Sequence, residues 1–453
     1  MSGAVNLRIR EVQLFQRHVT LRLPFRFGAA TVTQCPQAFV RVRAEVGGKR
    51  IEGASAELMV PKWFDKSPAL THEQNFEQLR ESLRNARDAL LASPDLLSPH
   101  AHAQAAGETA TTVSLARGLP RLAAQFGPAL LDKAVADAAL RAAGLSWVDG
   151  LRAGALGDPW SAQLQLVRPD HVRLRHTVGL ADRLTDDEAG PQPDDGLPST
   201  LEAAIRRYGL THFKLKLSGQ IDADLEHLSR IATVLDAQAG DYRVTLDGNE
   251  TFVDAGSLGG FWRALSQAPA ARGLLQRTLL LEQPIARRVA LEQSISALKL
   301  PVPVILDESD DRDDVLERGL ALGYRGISSK ACKGIYRSLH NAVRVAQEPD
   351  RLVLSGEDLT CQAGLAVQQD TLLAASLGVT HIERNGHHYV DGFGVAPQAE
   401  AQAFAAAHPG FYDTALGRPH LSIRAGQLDL RSLHVPGFAS TTFPHWDSLQ
   451  AIS

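Results

Sequence analysis

The feature that most constrains this chain is an alternation of short strand-like and helix-like runs that begins near residue 170. Eight runs rich in apolar and β-branched residues are typical of buried strands. They lie at 172–178, 212–217, 243–247, 278–282, 302–307, 326–330, 351–354 and 379–383. Helical runs lie between them at 222–237, 286–298, 311–322, 335–347 and 361–377. Alternating units favour parallel strands, and eight of them favour a closed (β/α)8 barrel over an open sheet.

The residues before this alternation have a different pattern. Runs at 7–15, 20–23 and 38–46 contain the β-branched and aromatic residues that strands prefer. Runs at 71–92 and 128–143 have apolar residues at helical spacing, and Gly144 is predicted to end the second helix. Strands followed by helices predict an α+β domain.

We therefore divide the chain into three parts: an α+β domain over 1–165, a barrel over 166–400, and a C-terminal segment over 401–453. The last part contains an Ala-rich helix and a strand-like run at 427–433, and we expect it to pack back on the first domain. Residues 182–199, which are rich in Asp and Pro, predict a surface loop after the first barrel strand.

Composition excludes several classes of function. The 47 basic residues nearly balance the 51 acidic ones, so no basic face for nucleic acid is expected. The three cysteines, Cys35, Cys332 and Cys361, are too few and too far apart for a disulfide framework or a Cys-based zinc site. No apolar run is long enough to span a membrane, and no nucleotide-binding glycine motif occurs. We expect a cytoplasmic enzyme that acts on a small molecule.

Acidic residues end three consecutive predicted strands. Asp247, Glu282 and Asp307 each follow an apolar run, and the carboxyl ends of barrel strands converge on one site. Three buried carboxylates at one point repel each other unless a cation holds them. Ligation by oxygen alone favours Mg²⁺ or Mn²⁺ over zinc. The alternative is that each acid caps the helix that follows it, but the agreement of three strands favours a metal site.

Lysines end the strands on either side of these acids. Lys214 and Lys216 are two residues apart, so they point to the same face of their strand, which in a closed barrel is the inner face. Close to a dication and to each other, their charged forms are disfavoured, which predicts a lowered pKa and a neutral amine able to accept a proton. Lys330 ends the sixth strand and is predicted to face Lys216 across the barrel, although a surface lysine at a strand end is the alternative.

Taken together, these motifs resemble the enolase superfamily and, within it, the muconate-lactonizing-enzyme-like subgroup of the mandelate racemase/muconate lactonizing enzyme family. The motifs are Lys214-x-Lys216, Asp247-x-Asn249, Glu282-Gln283-Pro284, Asp307-Glu308-Ser309 and Lys330-x-x-Lys333-Gly334. The resemblance implies a modified TIM barrel of (β/α)7β type with an N-terminal α+β capping domain that the C-terminal tail completes. Residues 24–28 resemble the mobile capping loop of that family, and the extra length near 90–128 and 182–199 is not explained by it.

The resemblance also implies a chemistry: removal of a proton alpha to a carboxylate to give a metal-stabilised enediolate. Asp247, Glu282 and Asp307 would then bind Mg²⁺, while Lys216 and Lys330 would be the acid/base pair. Lys214 would lie against the substrate carboxylate and lower the pKa of Lys216. The residues that would support these groups from behind are Asn249, Glu308 and Lys333.

Three functions stay open at this point. Two lysines suit a racemase or epimerase of a small carboxylate, but they equally suit a cycloisomerase or an eliminating lyase, and a non-catalytic binding barrel is the third possibility. The expected substrate contacts are Phe25, Arg26, Glu357 and Glu383, although an ion pair with Arg384 would also explain Glu383. Dipeptide epimerases carry an acid-x-acid pattern where this chain has His381-Ile382-Glu383-Arg384, so a dipeptide is not expected. A homo-oligomer is expected because closed symmetric assemblies are common among soluble enzymes.

Overall fold

The computed structural model describes residues 3–28 and 30–453, and it begins with an antiparallel sheet. Its first three strands are β1 (Arg8–Phe27), β2 (Ala30–Val46) and β3 (Lys49–Leu58). The runs predicted at 7–15 and 20–23 are one strand, because β1 continues through a register shift between Thr20 and Phe25. Strand β3 was not predicted. It is held in the sheet by pairing with β2 along its whole length.

Five helices follow the sheet: α1 (His72–Leu91), α2 (Pro99–Ala116), α3 (Arg121–Ala124), α4 (Phe126–Ala143) and α5 (Trp147–Arg152). Thr71 begins α1 with a reciprocal capping box to Gln74. Gly144 ends α4 in the left-handed region at φ 67°. Helix α4 lies so close to β3 that a Cβ atom on Gly53 would be 2.2 Å from the carbonyl oxygen of Ala134. Helix α2 occupies the extra length that the sequence left unexplained.

Eight parallel strands form the barrel. They are β4 (His171–Val178), β5 (His212–Lys216), β6 (Arg243–Asp247), β7 (Thr278–Glu282), β8 (Val304–Ile305), β9 (Gly326–Ser329), β10 (Val353–Gly356) and β11 (His381–Arg384). Their order is β8-β7-β6-β5-β4-β11-β10-β9, and a parallel bridge between Leu306 and Ile327 joins the two ends. The predicted barrel is thereby confirmed.

The barrel helices are α6 (Leu201–Tyr208), α7 (Ile221–Gln238), α8 (Ala255–Gln267), α9 (Arg272–Gln276), α10 (Arg287–Ala290), α11 (Val315–Leu322), α12 (Ile335–Ala346) and α13 (Leu365–Ser376). Helices α6 and α8 were not predicted. The helix predicted over 286–298 is wrong for most of its length, since only α10 and a 3-10 turn at Ser296–Leu298 are helical.

The last strand of the barrel is followed by two helices and four short strands: α14 (Gly386–Tyr389), α15 (Gln398–Ala407), β12 (Tyr412–Asp413), β13 (His420–Leu421), β14 (Gln427–Asp429) and β15 (Gln450–Ala451). Strand β15 pairs with β1, so the end of the chain joins the N-terminal sheet. Strand β14 of the same C-terminal segment pairs with β4 of the barrel, so this segment contacts both domains. In the described part of the chain, no helix has the length and apolar character needed to cross a membrane.

Candidate active site

Lys216 and Lys330 stand on opposite sides of the barrel mouth. Lys216 ends β5, and Lys330 follows β9 directly. Three strands separate β5 from β9 in either direction around the sheet, which places the two lysines across the barrel from each other. Both side chains are almost completely buried. The arrangement expected from the sequence is therefore the one that the structure has.

Lys214 lies at the centre of the acidic groups. Its ammonium group is 2.9 Å from Asp247 Oδ2, 2.7 Å from Glu282 Oε2, 2.7 Å from Glu357 Oε2 and 2.9 Å from Glu383 Oε2. These carboxylates come from four different strand ends. Lys214 thus provides the positive charge that the converging acids need.

Asp307 belongs to a neighbouring set of contacts. Lys330 Nζ donates to its Oδ2 atom at 2.5 Å, and Ser328 Oγ donates to its Oδ1 atom. Lys333 Nζ is 3.4 Å from Oδ1 and 3.0 Å from Asp310 Oδ2. The backbone N–H of Asp307 donates to the side chain of Gln283, which fixes the position of the strand end. Asp307 is therefore turned toward Lys330 rather than toward Lys214.

The three acids predicted to bind a metal are close in space but do not surround a common point. Within residues 3–28 and 30–453, no three His, Cys, Asp or Glu side chains are arranged to hold one ion. The donor chemistry nevertheless suits Mg²⁺, because both carboxylate oxygens of Glu282 are buried and, apart from the Lys214 ammonium group beside Oε2, neither has a polar partner in the described chain. Asn249 Oδ1 and Glu308 Oε2 are buried acceptors of the same kind. A cation bound between Asp247 and Glu282 would have to compete with the ammonium group of Lys214.

The lysine pKa values differ from the expectation. Burial by itself lowers the pKa of Lys214, but Asp247, Glu282, Glu357 and Glu383 outweigh it and raise the pKa well above its usual value. Asp307 likewise raises the pKa of Lys330 against the effect of burial. The predicted lowering assumed a dication beside the lysines. The surrounding carboxylates alone have the opposite effect and keep both amines protonated.

Glu282 carries the least compensated charge of the three acids. Burial, followed by the neighbouring Asp247 and Glu357, raises its pKa well above the usual value despite the contact with Lys214. For Asp247, burial acts in the same direction, but Lys214 and Lys216 outweigh it and lower the pKa. The surroundings thus favour the ionised form of Asp247 but the protonated form of Glu282.

A small cavity lies over the two lysines, and aromatic side chains of the capping domain form its roof. Lys330 Nζ is 4.4 Å from the ring centroid of Trp63, and Lys216 Nζ is 5.8 Å from that of Phe25 and 5.9 Å from that of Phe27. Glu383 and Asn385 line the barrel side of the cavity. Two lysines and two acidic residues, Asp358 and Glu383, thus line a space that aromatic rings cover.

Of the four predicted substrate contacts, two line the cavity and two do not. Phe25 and Glu383 line the cavity. Arg26 is exposed and does not line the cavity, because alternate residues of β1 point to opposite faces. Glu357 is also not at the cavity, since it pairs with Arg175 and Lys214 in the barrel interior.

The proposed ion pair between Glu383 and Arg384 does not form. Glu383 accepts hydrogen bonds from Thr177 Oγ1 at 2.6 Å and Asn385 Nδ2 at 2.9 Å. Arg384 points the other way, toward Asp370 at 2.8 Å. Consecutive residues of a strand face opposite sides, so the two side chains cannot meet.

The supporting residues lie behind the acids. The backbone N–H of Asn249 donates to Asp247 Oδ1 at 2.8 Å, and Asn249 Nδ2 donates to Glu308 Oε1 at 3.1 Å. Lys66 of the capping domain adds a positive charge 3.5 Å from Glu308. Asn249 has a positive φ of 41°, and Gln283, after the next strand, has one of 30°. Such strained residues tend to cluster at functional sites.

Sequence reasoning missed Trp63, Lys66 and Arg175. Trp63 and Lys66 lie in a loop after an unpredicted strand, so their position over the barrel had no local signal. Arg175 lies on β4 among alternating polar and apolar residues, and its burial within the barrel would be visible only once that strand's inner face was assigned.

Comparison with solved structures agrees with this architecture over nearly the whole chain. A muconate lactonizing enzyme from Pseudomonas fluorescens, complexed with muconolactone, is 16% identical and has a TM-score of 0.61, with 98% of each chain covered. An N-succinyl Arg/Lys racemase from Bacillus cereus is 13% identical with a TM-score of 0.64, and 96% of each chain is covered. The chain has the enolase-superfamily fold.

A third structure of this fold contains a metal. It is a dipeptide epimerase from Enterococcus faecalis, complexed with Mg and the dipeptide L-Leu-L-Tyr, and it is 16% identical with a TM-score of 0.62. The comparison covers 96% of this chain and 99% of that one. No protein-family model and no curated protein matches the sequence. The resemblance seen in the motifs is thus confirmed at the level of the fold.

Proposed function

We propose that this chain is an Mg²⁺-dependent racemase or epimerase that moves the proton on the carbon next to a substrate carboxylate. The observation that carries the proposal is the placement of Lys216 and Lys330 across one small cavity, with carboxylates at the adjoining strand ends. A carbon held between two amines can lose a proton on one face and gain one on the other.

The two lysines would have opposite roles in the reaction. One lysine, as a neutral amine, takes the proton, and the C–H bond breaks as an N–H bond forms. The opposite lysine, as an ammonium ion, delivers a proton to the other face of the same carbon. The product is the mirror-image centre, and the two lysines have exchanged protonation states.

Asp247 and Glu282 would hold Mg²⁺, joined by Asp307 when its carboxylate turns away from Lys330, and the bound ion would neutralise the negative charge that develops on the substrate carboxylate. Mg²⁺ would also reverse the electrostatic effect described above, because a dication among the carboxylates removes the field that keeps the lysines protonated. The aromatic roof of Phe25, Phe27 and Trp63 would exclude water from the exchanging proton. The cavity has a volume of only about 20 Å³, so a substrate would enter only when this roof moves.

A cycloisomerase or lyase using the same lysines is the second candidate. The fold is shared with muconate lactonizing enzymes as well as with racemases, and both chemistries begin with the same arrangement of groups. In that case one lysine would exchange its proton and the other would only stabilise charge.

Proton exchange in D₂O tests the proposal. The protein with Mg²⁺ is incubated with N-acyl amino acids, dipeptides, betaines, and aromatic and sugar acids, and each acid is analysed by mass spectrometry. Deuterium next to the carboxylate with inversion of configuration is the expected result. An unsaturated or rearranged product would establish the second candidate. Absence of any exchange or product, in a protein shown by calorimetry to bind Mg²⁺, would refute both.

A further inference from the structure

A second cavity lies beneath helix α2, between the capping domain and the barrel. Its volume is about 540 Å³, which is in the range of small-molecule sites. Helices α2, α4 and α12 form its walls. Among the described residues, none lines both this cavity and the catalytic one. We call it the insert cavity, because α2 belongs to the extra length of this chain.

One wall of the insert cavity consists of four aromatic rings. The ring centroid of His100 is 5.0 Å from that of Trp160 and 4.9 Å from that of Tyr336. The ring of His340 is 5.6 Å from that of Trp160. The four rings belong to three separate parts of the chain, so the cluster exists only in the folded protein. Faces of Trp and Tyr rings attract organic cations.

Asp132 of α4 provides an uncompensated acidic group at the same cavity. It is partly exposed there, and within the described chain its carboxylate has no hydrogen-bond or ion-pair partner. Burial raises the pKa of Asp132 to about 8 and no neighbouring positive charge opposes this, so a cation bound beside it would favour the ionised carboxylate. Burial is the main cause of the raised pKa of Tyr336, and the negative charge of Asp132 adds to it. The carboxylate and the ring therefore belong to one environment.

The basic groups of the insert cavity are directed at another set of acids. Lys333 Nζ is 3.0 Å from Asp310 Oδ2, and Arg337 lies 3.7 Å from both Asp310 and Asp313. The charge of Arg121 opposes the rise that burial causes in the pKa of Asp311. All three cations thus face the loop that precedes α11, and none compensates Asp132.

Two of the residues that line this space, Gln125 and Tyr336, also have polar atoms without partners among the described residues. Tyr336 Oη and Gln125 Oε1 are buried and have no hydrogen-bond partner in the described chain. Both oxygens can accept a hydrogen bond from an N–H donor. Gly107 and Pro128 both line the cavity, and a Cβ atom on Gly107 would make an ordinary van der Waals contact with Pro128 Cβ at 3.9 Å.

We propose that the insert cavity binds a small organic ammonium ion, with the cationic group at Asp132 and the apolar part against the rings of His100, Trp160 and Tyr336. The proposal rests on the unpaired carboxylate, the aromatic wall and the size of the cavity. It does not depend on the reaction proposed for the catalytic site. A cage of aromatic rings beside one carboxylate is a general means of recognising ammonium groups.

Binding of benzylammonium chloride to the full chain tests the proposal, with benzoate as an anion of similar shape. Calorimetry gives the affinities, and the fluorescence of Trp160 gives a local signal, which Trp160→Phe removes. We expect saturable binding of benzylammonium and none of benzoate. Absence of saturable benzylammonium binding would overturn the proposal, and so would tighter binding of benzoate.

Three variants locate the bound cation. Asp132→Asn keeps the shape of the side chain and removes its charge, so the affinity for benzylammonium is expected to fall about tenfold or more. Gly107→Leu fills the space between the helices and is expected to abolish binding, with helix propensity improved rather than reduced. Lys216→Ala, in the catalytic cavity, should leave the affinity unchanged. Equal binding by wild type and Asp132→Asn, or a loss in Lys216→Ala, would refute the assignment.

Discussion

The capping domain and the barrel both bury charged side chains, but they compensate them in different ways. In the capping domain, Lys133 pairs with Glu57 at 2.9 Å and also donates to the carbonyl oxygen of Ala56 at 2.9 Å. In the barrel, Lys214 is shared among four carboxylates, and both oxygens of Glu282 lack a hydrogen bond. Lys133 thus has one carboxylate partner, whereas Lys214 has four.

This difference indicates separate roles for the two sets of charges. A buried pair with its hydrogen bonds satisfied fixes how β3 packs on α4, and it needs no further partner. A buried group of acids that exceeds the nearby positive charge stays ready for another cation. The comparison therefore predicts that charge removal in the barrel affects chemistry, whereas charge removal in the capping domain affects stability.

The largest expected effect is the loss of turnover when a catalytic lysine is removed. Lys216→Ala and Lys330→Ala should each reduce proton exchange by about 10³-fold or more, because each removes a proton carrier. The affinity for Mg²⁺ should change little. The measurement is deuterium incorporation, with Lys49→Ala at the exposed start of β3 as the control. Near-normal exchange in Lys216→Ala would show that the role assigned to it is wrong.

The next effect concerns the pair in the capping domain. Lys133→Met leaves the buried Glu57 carboxylate unpaired and should lower the free energy of unfolding by about 3–5 kcal/mol, measured in urea. The double variant Glu57→Gln/Lys133→Met should recover part of this loss, since it leaves no buried charge. Proton exchange by the folded Lys133→Met protein should equal that of wild type. Loss of exchange without loss of stability would break the comparison.

Asp247→Asn should have a smaller effect, and on metal binding. It removes one charged oxygen ligand at the barrel mouth and should weaken Mg²⁺ binding by about tenfold or more in calorimetry. Asp236→Asn, on the outer side of the barrel, provides a matched control. If Asp247→Asn bound Mg²⁺ as wild type does, the metal would have to be placed elsewhere.

Three buried histidines provide the smallest effect. His176 Nδ1 lies 2.9 Å from His387 Nε2, and His388 packs against the ring of His176. Burial lowers the pKa of His176 to about 3 and those of His387 and His388 well below the usual value. Below a pH of about 6.5 the unfolded chain therefore binds protons that the folded chain does not.

The free energy of unfolding should accordingly fall as the pH falls below about 6.5, by about 1 kcal/mol per pH unit for each histidine. Above that pH these histidines should cause no change. His387→Gln should make the slope smaller, whereas His445→Gln, at an exposed position, should not. Urea unfolding of wild type and both variants at several pH values measures the difference. Identical slopes in all three proteins would contradict the lowered pKa of His387.

The sequence predicted the barrel strands better than the barrel helices. Strands β6 and β7 have the predicted bounds, since each is a short apolar run that ends in an acid. Helix α8 was missed because it contains Gly256, Gly259 and Gly260, which lower helix propensity. Burial of Leu258, Phe261 and Leu265 stabilises it in the folded protein. The sequence of the helix alone does not show that these residues will be buried.

The sequence predicted which residues form the candidate site but not which of them contact each other. The acids and lysines at the strand ends could be identified because each follows directly from its own strand. The pairing of Lys214 with Glu357 and Glu383 joins residues 143 and 169 positions apart, and no local pattern indicates it. The raised pKa of Lys214 follows from such pairings, and its direction is opposite to the lowering expected for this lysine beside a dication.

The sequence by itself determined the alternation of strands and helices and the side chains that stand at the barrel mouth. Both depend on residues near one another in the chain, where periodicity and turn chemistry act. The tertiary structure alone decided which acid each lysine meets, which aromatic rings cover the lysines, and that a cavity with an unpaired Asp132 lies beneath α2. Coulomb interactions and cavities depend on distances between remote segments, and only the folded chain fixes those distances.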